Sequence, residues 1–88
     1  MSAIKWSRPA RAGVRGLKTS VAELGGGVRV EVRRYGANWS VMVPRWGIEA
    51  DLPGLDSATS WPTARRHALA EVVVSLELRL AAAKGARP

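Results

Sequence analysis

Cysteine is absent from this chain, so neither a disulfide framework nor a cysteine-ligated zinc site staples the fold, and a reducing compartment, the cytoplasm, is the expected setting. Long apolar runs are absent too. No stretch approaches the roughly 20 residues needed to span a bilayer, and the N-terminus carries no apolar core of a signal peptide. Catalytic and metal-binding constellations are equally missing. The single histidine, His67, has no carboxylate near it in sequence to orient it as a base. The seven carboxylates are scattered, and Glu49 with Asp51 is the only close pair; on an exposed strand face such a pair solubilises rather than holds Mg²⁺. Gly25-Gly26-Gly27 is not followed by Lys-Ser or Lys-Thr and opens no helix, so it reads as a turn and not as a phosphate loop. These absences predict a protein that binds without catalysis, metal or cofactor.

What is there fits one small domain. Eighty-eight residues, 47% hydrophobic and 24% charged, can build a single modest core. From Val28 the pattern is clear: VRVEVRR places Val28, Val30 and Val32 on one face and Arg29, Glu31 and Arg33 on the other, as in a half-buried strand. Tyr35-Gly36-Ala37-Asn38 reads as a hairpin turn into a second strand, in which Trp39, Val41 and Val43 share a face. Pro44 stops it, and Ile48, Ala50 and Leu52 repeat the alternation before the turn at Pro53-Gly54. Upstream, LKTSVAELGGG carries both a strand alternation at Leu17, Thr19 and Val21 and a helix capping box at Ser20 and Glu23, with the strand preferred.

Ser60 is an N-cap residue, Trp61 and Pro62 fall in a first helical turn, and no breaker recurs until Gly85. One long helix is therefore expected. On a helical wheel Leu69, Val72, Val73, Leu76 and Leu80 fall in one stripe of core-facing width. The predicted core is then Val28, Val30, Val32, Trp39, Val41, Val43, Leu69, Val72, Val73 and Leu76. A second apolar stripe, Ala70, Val74, Leu78 and Ala81, lies on roughly the opposite side, where either a homodimer or partner contact or the folded-over N-terminal segment covers it. The predicted fold is α+β: a three- to four-stranded antiparallel β-meander packed against one long C-terminal helix. Residues 1–16 are expected as a basic flexible arm, 17–84 as the domain and 85–88 as a disordered tail.

Acidic residues are missing from residues 1–22, which hold Lys5, Arg8, Arg11, Arg15 and Lys18. The whole chain has 14 Lys and Arg against seven Asp and Glu, a net charge of +7 and a pI near 11.4, so a polyanion is the expected partner. Cations neutralise phosphates, while exposed indoles stack on unpaired bases. Trp39 and Trp61 read as core, which leaves Trp6 and Trp46 beside the basic groups. The candidate nucleic-acid-binding residues are Lys5, Trp6, Arg8, Arg11, Arg15 and Lys18 in the arm and Arg29, Arg33, Arg34, Arg45 and Trp46 on or near the sheet. Because Glu31, Glu49 and Asp51 interrupt the sheet face, the arm is the stronger electrostatic footprint.

The stretch from Val28 to about Leu80 resembles the HicB-like antitoxin family, three strands followed by a helix, through VRVEVRRYGANWSVMVPRWG and SATSWPTARRHALAEV. Ala58-Thr59-Ser60 and Thr63-Ala64 stand where that family has Gly-Asp-Thr and Glu-Ala. The resemblance implies an inhibitor or assembly partner of another protein, but docking on a basic toxin is opposed by this chain's own positive charge. The arm-DNA-binding domains of tyrosine integrases are similar too, with three strands that read a groove and a supporting helix, and they fit the charge better. The expected function is non-catalytic binding of DNA or RNA by a small regulatory or phage-type protein. The alternative is a protein-interaction module that meets an acidic protein.

Overall fold

The computed structural model describes residues 4–85; the first three residues of the expected arm and all of the expected tail except Gly85 lie outside it. Five strands, β1 (Ala10–Arg11), β2 (Leu17–Gly25), β3 (Val28–Tyr35), β4 (Asn38–Val43) and β5 (Ile48–Asp51), form one antiparallel sheet in sequential order, and α1 (Trp61–Gly85) packs on one of its faces. The α+β class is as the sequence predicts. The strand number is one higher than the upper expectation, because the two-residue β1 comes from the segment expected as an arm.

Turn chemistry sets the meander. Gly36 and Ala37 alone link β3 to β4, between the paired residues Tyr35 and Asn38. Gly36 has φ +62° while no non-glycine residue has positive φ, the signature of a type II′ turn, whose twist matches that of the flanking strands. Between β2 and β3 the three glycines at 25–27 all take positive φ, and the register slips between Glu23 and Gly25. A connection that L-residues with side chains would strain is thereby closed in a few atoms. Leu17–Gly25 is a strand and not a helix, and Ser20, half of the would-be capping box, is instead a fully buried hydroxyl.

The alternation read from the sequence places the core. Val28, Val30 and Val32 of β3, Trp39, Val41 and Val43 of β4, and Ile48 and Leu52 at β5 are all buried beneath α1, with Ala22 of β2. Trp39 anchors the loop into the helix: its Nε1–H donates to the Asp56 carbonyl at 2.8 Å, and its ring meets Trp61 edge-on at 4.8 Å. Asp56 and Thr59 shape that loop, since the Thr59 Oγ1 accepts from the Asp56 amide at 2.9 Å and Asp56 Oδ1 accepts from the Ala58 amide at 2.9 Å. Ser60 caps α1, with Oγ accepting from the Thr63 amide at 3.4 Å.

The helix is turned differently from its bulk pattern. Its buried residues are Ala64, Ala68 and Val72; Leu69 is half-buried, and Val73, Leu76 and Leu80 are exposed. A wheel weighted by bulk points Leu69, Val73 and Leu76 inward. Close approach of a helix backbone to a flat valine surface, already flanked by Trp39 and Trp61, instead selects the small residues. The sheet also ends early along the helix, so nothing after Val72 is buried.

Candidate nucleic-acid interface

The N-terminal basic segment, expected as a flexible arm, is held against the edge of β2 over residues 6–11. Trp6 bridges to Ala22. The Ser7 amide donates to the Val21 carbonyl at 2.8 Å, and the Val21 amide donates to Ser7 Oγ at 2.9 Å. Ala10 and Arg11 then pair with Thr19 and Lys18. A clamp from α1 secures the contact: Arg65 donates to Ser20 Oγ at 2.9 Å and to the Ser7 carbonyl at 3.2 Å, and its guanidinium lies 5.5 Å from the Trp6 ring centroid. Ser20 Oγ donates to the same Ser7 carbonyl at 2.7 Å. Serine suits positions 7 and 20 because a hydroxyl both donates and accepts within one narrow seam.

This docking brings cations together. Arg11 faces Lys18, Lys18 faces Arg34, and Arg34 faces Trp39 across neighbouring strands, so three bases form a ladder on one side of the sheet. Adjacent strands lie about 4.8 Å apart, which gives the ladder a span of about 10 Å. Like charges directly opposite each other destabilise a sheet. The rung at Arg34 is tethered: it donates to the carbonyls of Gly36 at 3.0 Å and Ser57 at 3.3 Å, and its guanidinium sits 5.6 Å from the Trp39 ring centroid. Arg11 and Lys18, with Arg15, Gly16 and Leu17, line an open concavity of about 560 Å³ at the tip of the first hairpin. Among the described residues the one ion pair is Arg33 with Glu31 at 3.7 Å. Among the described residues, then, Arg11, Arg15, Lys18 and Arg34 have no ion-pair partner.

An aromatic group that the sequence reading left aside stands beside this hairpin. Tyr35 is 54% exposed, and its ring lies beside Gly16, whose φ of +86° lets the turn take this path. Its signal in the sequence is its position at the end of a strand next to a turn, where an aromatic ring has few neighbours to cover it.

The remaining sequence candidates are spread out. Lys5 and Arg8 are exposed on either side of the Trp6–Ser7 contact. Trp6 and Trp46 are half-buried and pack against the core. Arg45 lies near Gly27 in the β2–β3 hairpin. Arg29 and Arg33 are on the sheet face that α1 leaves open, in register with Glu23, Thr19, Ser40 and Asp51, and alternate there with Glu31 and Glu49. Four carboxylates against two guanidiniums leave that face net acidic, so the positive field belongs to the β1–β2 hairpin. A larger groove between residues 4–7 and 21–25 mixes Lys5 and Arg29 with Glu23.

On α1, His67 is exposed, and so are Ala70, Val74, Leu78 and Ala81. Among the described residues no group of three His, Asp or Glu could hold a metal ion, and no helix is long and apolar enough to cross a membrane. No protein-family model, curated protein or solved structure matches the chain.

Proposed function

We propose that the protein is a small, non-catalytic nucleic-acid-binding protein of regulatory or phage type, working in the cytoplasm, that grips a phosphate backbone through its β1–β2 hairpin. The observation that carries this reading is the ladder of Arg11, Lys18 and Arg34 with Arg15 beside it, none of them in an ion pair among the described residues. Such a row costs stability in the free protein and is relieved by a polyanion. Each strand of B-form DNA presents one charge per about 3.4 Å of axis, so rungs about 4.8 Å apart can each find a nearby phosphate without matching their spacing. Tyr35 is exposed beside the tip of the same hairpin, on the sheet face opposite the ladder. The resemblance of the three-strand-and-helix pattern in the sequence to the arm-DNA-binding domains of tyrosine integrases is in keeping with this reading, as an analogy of fold. The alternative, a module that assembles with another protein, draws support from the exposed apolar side chains of α1.

Salt dependence tests the proposal. Fluorescence anisotropy with labelled duplex and single-stranded oligonucleotides, repeated from low to physiological salt, gives the slope of log affinity against log salt. The Arg11→Gln/Arg15→Gln/Lys18→Gln variant removes three phosphate contacts and should flatten the duplex slope by about 2.7, at about 0.9 per phosphate. Absence of binding to either oligonucleotide at low salt, or a slope unchanged in the variant, would overturn the reading.

A further inference from the structure

We propose that docking of the N-terminal segment and binding of a polyanion are coupled, with Ser7, Ser20 and Arg65 as the positioning residues that set Arg11 in the ladder. The inference rests on the reading of the β1–β2 hairpin as a phosphate-binding element. Without the segment the ladder is incomplete. Lys18 and Arg34 belong to β2 and β3, whereas Arg11 reaches them only when residues 6–11 lie along the edge of β2. β1 itself has two residues, and one of its two pairs sets Arg11 opposite Lys18, like charges that push the strands apart. So short a ribbon is marginal in water without further anchorage.

That anchorage is at Ser7, upstream of Arg11. Its N–H donates to the Val21 carbonyl at 2.8 Å and its Oγ accepts from the Val21 amide at 2.9 Å. Its carbonyl accepts from both Ser20 Oγ and Arg65. None of these contacts involves a rung of the ladder, so the seam acts on Arg11 only through the backbone it holds in register.

Closing the seam also gathers charge. Ser20 is the next residue after Lys18 but one on the same face of β2, and Arg65 reaches it from α1. Arg65 thus joins Arg11, Lys18 and Arg34 on one side of the sheet, and among the described residues none of them has an ion-pair partner. Their mutual repulsion opposes docking, and a polyanion laid along the ladder removes it. The polyanion therefore binds the docked form more tightly than the undocked one, and by linkage it stabilises docking by the same factor.

Hydrogen exchange at the Ser7 amide, with and without inorganic polyphosphate or a duplex oligonucleotide, reads the coupling. Either polyanion should slow exchange at Ser7 by about five- to 150-fold, with a smaller change at the Leu52 amide, which bonds to the Trp39 carbonyl on the other side of β3. Failure of polyphosphate to slow Ser7, or equal slowing at both amides, overturns the coupling. Slowing by polyphosphate without binding of duplex or single strand upholds the coupling and sinks the nucleic-acid reading instead. Duplex binding that leaves Ser7 unchanged does the reverse. Ser7→Pro removes the donor and keeps every charge; with folding checked by circular dichroism, it should weaken duplex binding by at least about fivefold and flatten the salt slope by about 0.9, the share of one phosphate. Ala10 and Thr19 oppose each other across β1 and β2, within disulfide reach. Adding Ala10→Cys/Thr19→Cys to Ser7→Pro should restore affinity and slope when oxidised and lose them again on reduction. A Ser7→Pro protein that binds like the wild type, or one that stays weak once the disulfide has formed, also overturns the coupling.

Discussion

Replacing Ala68 with leucine puts an isobutyl group where only a methyl fits. Ala68 is fully buried between Ala64 and Val72 on the helix face that touches the sheet, opposite valines that are themselves inaccessible. Overpacking of this kind costs about 1–3 kcal/mol, because the helix must lift or neighbouring side chains must leave their rotamers. Leu76→Ala is the informative comparison. A leucine fully in the core would cost about 2–5 kcal/mol on truncation, but Leu76 is 36% exposed and lies beyond the last buried residue. Its loss opens to solvent instead of leaving a void, and the lost transfer energy is about 1 kcal/mol. Ala68→Leu should therefore be the more destabilising of the two. In a domain of this size each kcal/mol shifts Tm by about 4–8 °C. Thermal or urea unfolding ranks the variants. If Leu76→Ala unfolds earlier than Ala68→Leu, the bulky stripe faces the core and the helix is turned the other way.

Two further substitutions probe features that hold the fold together. Arg65→Met keeps most of the aliphatic stem but removes both hydrogen bonds to the Ser7–Ser20 seam; hydrogen exchange at the Ser7 and Val21 amides should accelerate by about five- to 150-fold, as a loss of about 1–3 kcal/mol implies. Amides near Lys84 should keep their rates, and unchanged exchange at Ser7 would mean that strand pairing holds the segment without the clamp. Gly36→Ala has open space around it, so its cost is purely that of a positive φ, about 1–3 kcal/mol by chemical denaturation; a neutral result would mean the turn relaxes to another type.

Much of the sheet was legible because period-two alternation reports directly on which side of a strand is wet. Val28 to Val32, Trp39 to Val43 and Ile48 to Leu52 follow that rule, with Ala50 half-buried. The helix was legible as an element, from its Ser60 cap to Gly85, but not in its rotation: apolar residues ring its C-terminal half, and bulk alone cannot tell a face that packs closely from one that projects. The N-terminal segment hid for a different reason. Arg, Pro, Gly and Ala show no periodicity, and its attachment depends on Ser7, Ser20 and Arg65, whose separations of 13 and 58 residues leave no local trace. The basic character of residues 1–22 was plain, whereas the alignment of Arg11, Lys18 and Arg34 needs the register of two hairpins. That Tyr35 stands beside Gly16 likewise follows only from the register of β2 with β3.

The sequential strand order bears on how fast and in what sequence the chain folds. Every strand pairs with its neighbours along the chain, and the β3–β4 loop is only two residues long, so each hairpin closes over a small loop and loses little chain entropy in doing so. Hairpins of this kind form in about 1–10 μs, and a topology dominated by such local pairings places the domain on the faster side for its β content. The Arg65 to Ser7 contact, by contrast, joins residues 58 apart and cannot form until α1 has docked. The N-terminal strand is thus expected to arrive after the nucleus, so that weakening its clamp should quicken unfolding and leave the refolding rate nearly untouched.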